Sequence, residues 1–113
     1  MKLGIIRCAM TEDYCPGTWD FKAVRERTGV FQDVPADEDI EIVGFVTCGG
    51  CPGKKALMRG RQLVDRGADA IAFASCIKVG TPIGYACPFA ARMQKLVEND
   101  IGDEVKVIFD HTH

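Results

Sequence analysis

Six cysteines stand in a chain of 113 residues: Cys8, Cys15, Cys48, Cys51, Cys76 and Cys87. Two of them form Cys48-Gly49-Gly50-Cys51, a spacing that lets both sulfurs bind one ion or exchange with one disulfide. The chain starts with Met1-Lys2-Leu3-Gly4 and no signal peptide is read there, so a cytoplasmic location is expected. The cytosol keeps thiols reduced and structural disulfides there are uncommon. Metal binding or thiol redox chemistry is then the leading explanation for six cysteines, and burial as a small hydrophobe serves for one or two of them. Asp110-His111-Thr112-His113 ends the sequence with two imidazoles, which add nitrogen ligands or form an exposed tail.

The elements that must position these groups are legible as short apolar runs. Residues 3–6 read as a buried first strand, with Cys8 just beyond it. Residues 40–47, Ile-Glu-Ile-Val-Gly-Phe-Val-Thr, read as a second strand that runs directly into the Cys48–Cys51 turn. Residues 70–75 read as a third strand, covered on both faces and ending at Cys76, and residues 105–109 as a fourth. Between them, Asp20 is expected to cap a helix with Phe21 and Val24 on its inner face, ended by Gly29. A second helix is predicted from Lys54 until Gly67, with Ala56, Leu57, Gly60, Leu63 and Val64 on one side. Pro88 opens another, with Phe89, Met93, Leu96 and Val97 apolar, after a long loop from Cys76 to Cys87.

Strands alternating with helices call for βαβ units. The predicted fold is a single domain over residues 1–113: a three-layer α/β sandwich with a four-stranded, mainly parallel sheet in flavodoxin-like or Rossmann-like order, the first strand near the middle. In such a sheet the residues after each strand meet at the C-terminal edge, where open α/β sheets bind ligands. Cys8, Cys48, Cys51 and Cys76 follow three strands, His111 and His113 the fourth, and Cys15 and Cys87 lie in the neighbouring loops. A tetrahedral zinc site or an iron–sulfur cluster requires ligands of this kind and number. Gly49 and Gly50 tolerate positive φ. The start of the second helix, with Lys54 and Lys55, favours thiolates at Cys48 and Cys51. These features suit a redox dithiol equally.

Composition excludes other classes. Apolar residues make up 47% and charged residues 27% of the chain, which is globular usage. Fourteen basic against sixteen acidic residues leave a net charge of -2, with no basic field for nucleic acid or anionic lipid. No run is long enough to span a bilayer. The expected partner is a metal ion; neither nucleic acid nor membrane is expected, and no protein partner is specified.

Several segments resemble the CGGC-domain family: Gly4-Ile5-Ile6-Arg7-Cys8, Thr11-Glu12-Asp13, Cys15-Pro16-Gly17-Thr18, the run from Gly44 to Lys55, Arg66-Gly67-Ala68-Asp69, Ala74-Ser75-Cys76, Pro82-Ile83-Gly84, Cys87-Pro88 and Thr112-His113. The resemblance covers nearly the whole chain. It implies a metal-binding role, with zinc favoured, an iron–sulfur cluster as the chemical competitor and no established reaction. The ligand set it implies is Cys8, Cys15, Cys48, Cys51, Cys76, Cys87 and His113; His111 falls outside the matched ending. The alternative is a thiol–disulfide oxidoreductase using Cys48 and Cys51, although thioredoxin-like proteins carry CxxC after the first strand of their core unit rather than the second.

Overall fold

A computed structural model describes residues 1–78, 80 and 86–108. Four strands, β1 (Lys2–Arg7), β2 (Glu41–Thr47), β3 (Ala70–Phe73) and β4 (Lys106–Ile108), form one sheet in the order β2-β1-β3-β4. Every pairing is parallel. This is the doubly wound, flavodoxin-like order, and it puts the most apolar strands in the middle: Leu3, Ile5, Ile6, Ile71, Ala72 and Phe73 have no exposed surface.

Strand alternation divides the sheet between two helical layers. Gly4 and Gly44 are register partners, and a Cβ on either would overlap the Leu63 side chain. Leu63 belongs to α2 (Lys55–Asp65), which therefore lies directly on the backbone of β1 and β2. α4 (Ala90–Ile101) packs beside it, burying Met93, Val97 and Ile101. Gly60 of α2 faces Val97 and Ile101 of α4 and Ile6 of β1. Phe45, the next residue after Gly44, faces the other way and meets Phe21 of α1 (Thr18–Glu26), with ring centroids 5.1 Å apart.

Some local expectations change. Asp20 does not cap α1: Gly17, in the left-handed region at φ 89°, starts the helix, and Asp20 is buried inside its first turn. Phe21 stays 40% exposed, its ring tilted by 32° against Phe45, which is itself only partly buried. The fully buried aromatic of this region is Phe31, carried by a 3-10 turn over Gly29–Asp33. The third strand ends at Phe73, and Ser75 and Cys76 belong to α3 (Ser75–Lys78), a single helical turn within what reads as loop. The second helix stops as expected, with Gly67 at φ 107° and the Ala68 N–H on the Leu63 carbonyl.

Candidate functional site: a thiol rim at the sheet's C-terminal edge

The ladder fixes which residues meet at the edge. Arg7 pairs with Thr47 and Ile6 with Phe73, so Cys8, Cys48 and the start of α3 emerge side by side. The strand ends are joined by the Cys48 N–H on the Arg7 carbonyl (2.7 Å) and the Ala74 N–H on the Ile6 carbonyl (2.9 Å). Two consecutive amides of β1's exit then turn to sulfur. The Cys8 N–H donates to Cys76 Sγ (3.1 Å), and the Ala9 N–H to Cys48 Sγ (3.5 Å). Cys8, Cys48 and Cys76 are all buried, at 8%, 4% and 7% exposure.

Cys51 is exposed, beyond the two glycines of its motif. Gly49 and Gly50 both have positive φ, 84° and 102°, so this turn is open to glycine and closed to most other residues. A Cβ on Gly49 would also collide with the Lys55 side chain, which places the N-terminal turn of α2 against the motif. The Cys51–Pro52 bond is cis. The Thr47 hydroxyl accepts from the Gly49 N–H (3.2 Å) and from Arg59 (2.7 Å), holding the start of the turn to α2.

Cys87 is half-buried, its N–H on the Ile77 carbonyl (3.0 Å) and its sulfur accepting from the Phe89 N–H (3.4 Å). Burial pushes the thiols of Cys8, Cys76 and Cys87 above their ordinary value. Charge on neighbouring thiols acts in the same direction: Cys8 and Cys87 each feel Cys48 and Cys51, and Cys76 and Cys87 each feel Cys8. Five thiols from three strand ends and the approach to α4 thus share one electrostatic neighbourhood. Cys15 is half-buried in a turn closed by its N–H on the Thr11 carbonyl (2.9 Å). His111 and His113 lie outside the described residues, as do Pro82-Ile83-Gly84 and Thr112.

By donor type and by position on one rim, these residues fit a thiophilic ion. They do not form finished coordination: among the described residues no group of three His, Cys, Asp or Glu side chains is arranged to hold a metal. All six cysteines are free.

Two charged residues of this region escape a reading of the sequence. Arg7 and Asp20 are buried, at 5% and 4% exposure, as are the polar side chains of Thr11 and Ser75. A basic residue ending an apolar run directly before a cysteine was the available signal for Arg7. Asp20 carried none, since an acidic residue near a helix start ordinarily faces solvent.

The family model of the CGGC domain matches residues 2–113. An uncharacterized protein of Methanocaldococcus jannaschii is 41% identical over 95 residues, covering 79% of this chain and 69% of that protein. A second uncharacterized protein of the same organism is 37% identical over 57 residues, covering 50% of this chain and 82% of the relative. No solved structure matches significantly. Among the described residues no helix is long and apolar enough to cross a membrane.

Proposed function

We propose, from the premise that the chain belongs to the CGGC-domain family, that it is a metal-binding protein whose thiol rim holds a thiophilic ion. The six cysteines and the family fit a metal-binding role. In our reading Cys8, Cys48, Cys51 and Cys76 are the principal ligands, with Cys87 beside them and Cys15 and His113 as alternates or a second site. Zinc is the favoured ion and an iron–sulfur cluster the competitor. The observation that carries this reading is the pair of adjacent amides, Cys8 N–H and Ala9 N–H, directed at sulfurs from β3's exit and β2's exit. Backbone donors at sulfur stabilise thiolate over thiol and orient it, which is what outer partners do for metal ligands.

Closing the site requires thiol side chains to turn toward a shared point while keeping these amides as outer partners. Because metal ligands must be thiolates and burial pushes three of these thiols up, binding also releases protons and tightens as pH rises. Anaerobic purification followed by elemental analysis and a visible spectrum tests the reading. Near-stoichiometric zinc in a colourless protein, or iron in a brown one, is the expected result. A protein that retains neither metal, and takes up none when metal is supplied, contradicts it.

A second reading, thiol–disulfide exchange, draws on the contrast between exposed Cys51 and buried Cys48. An accessible thiolate attacks a substrate disulfide, and the buried partner completes the internal disulfide as the substrate leaves with two thiols. Cys48→Ser tests it through disulfide reduction, which must fall if the pair is catalytic. The free thiols also accord with the cytoplasmic location we propose.

A further inference from the structure

We propose that Arg7 is the countercharge of the thiol rim, a buried guanidinium held ready to balance the negative charge that a thiolate-bound metal brings to the end of β1. The inference rests on the metal-binding reading above and assigns a role to a residue outside the thiol set.

Arg7 is the last residue of β1 and precedes Cys8. Only 5% of it is exposed, and it is the one buried cation among the described residues. A guanidinium stays charged in any protein environment, so burial without an anion carries a penalty that some partner must offset. The partners present are weak. One terminal nitrogen donates to the Thr11 hydroxyl (3.2 Å), the group lies 5.7 Å from the centre of the Phe45 ring, and Nε, also buried, has no acceptor. Among the described residues Arg7 forms no ion pair with a carboxylate, whereas exposed Arg61 has two.

Its neighbours lead to the rim. Thr11, fully buried, donates to the Cys8 carbonyl (3.0 Å). The Arg7 carbonyl anchors Cys48 through its N–H. Arg7 is thus connected to two of the proposed ligands, to Cys8 through one hydroxyl and to Cys48 through its own carbonyl. Asp20 is the buried group of opposite sign that acts on Cys76. A divalent ion held by three or four thiolates is itself an anion, net minus one or minus two. Arg7 is the buried cation at this end of β1 that offsets such a charge. The guanidinium that is poorly matched in the thiol form becomes well matched in the thiolate form.

The test compares the unaltered chain with Arg7→Met, which keeps a long side chain and removes the charge, and Arg7→Lys, which keeps the charge. Each is titrated with Co²⁺ at one fixed pH, following the sulfur-to-cobalt absorption band, and each is melted without metal. Arg7→Met is expected to weaken Co²⁺ binding about 10- to 100-fold, the usual loss when an outer partner of a metal site is removed. Arg7→Lys should restore most of that loss, and metal-free Arg7→Met should melt at or above the unaltered chain. Equal Co²⁺ affinity in Arg7→Met and the unaltered chain would overturn the proposal while leaving the metal site standing. So would an equal loss in Arg7→Lys, or a markedly lower melting point for metal-free Arg7→Met, which would make Arg7 a structural cation. Absence of any cobalt band in the unaltered chain removes the metal reading itself, and the role of Arg7 with it.

Discussion

At the edge of the sheet where the strands begin, oxygen receives the backbone donors. The Met1 amino group donates to the Asp39 carbonyl (2.6 Å), the Glu41 N–H to the Met1 carbonyl (2.8 Å), the Lys2 N–H to the Asp69 carboxylate (2.9 Å) and the Asp69 N–H to the Lys2 carbonyl (2.8 Å). At the edge where they end, the amides of Cys8 and Ala9 meet sulfur instead, at 3.1 and 3.5 Å. Oxygen is the stronger acceptor and sulfur a weak one. The first edge is therefore a finished seam that sets the register of β1 against β2 and β3. The second is joined by two bonds on oxygen as well, the Cys48 N–H on the Arg7 carbonyl and the Ala74 N–H on the Ile6 carbonyl, and adds two amides on sulfur, so one sheet is both a rigid support and a presenter of thiols.

Substitutions in the support should cost most. Ile71→Ala, at a fully buried site in the sheet centre, should lose about 2–5 kcal/mol in a urea unfolding curve; a loss under about 1 kcal/mol would mean that the sheet is not the rigid half. Gly44→Ala pushes a methyl group into Leu63, itself buried and already set against Gly4, and should cost about 1–3 kcal/mol through overpacking. An unchanged denaturation midpoint would show that α2 rides loosely on the strands.

The rim should respond to pH before the seam does. Burial raises the folded-state values of Cys8, Cys76 and Cys87 above 9.0, so the unfolded chain releases these protons first. Their effect on metal-free protein is absent below the ordinary thiol value and grows as pH rises from there toward the folded values, where stability falls. Melting from about pH 7 to about pH 11 should show this decline, and Cys76→Ala should flatten part of it; a profile the same in both proteins would place the lost stability elsewhere. The smallest effect belongs to the seam's exposed end. Asp69→Ala removes the carboxylate bonded to the Lys2 N–H and should cost about 0.5–1.5 kcal/mol, with metal uptake unaltered. A change in metal uptake would mean that the two edges are coupled.

The strands were legible because each is a short apolar run ending in a cysteine or a turn, and α2 because its apolar spacing and Gly67 bracket it. From these the order with β1 inside and the meeting of Cys8, Cys48 and Cys76 at one edge could be expected. What escaped depends on tertiary surroundings. Arg7 reads as a surface residue until Thr11 and Phe45 close over it. Asp20 reads as a cap until Gly17 takes that place with a backbone angle no composition reveals. Four residues from Ser75 to Lys78 are too few for any periodicity, so α3 was absorbed into a loop. Cys15 follows an early strand as the other thiols do, and its turn closes on the Thr11 carbonyl.

The interior position of β1 has a consequence during synthesis. Because β1 is made first and sits between β2 and β3, its neighbours leave the ribosome only after Thr47 and Phe73 have been translated. Until then Cys8 has neither of the strand exits that later surround it, and Cys48 and Cys51 emerge into the same unfinished environment. The nascent polypeptide therefore carries the thiols of Cys8, Cys48 and Cys51 before the strand exits that bury Cys8 and Cys48 are assembled.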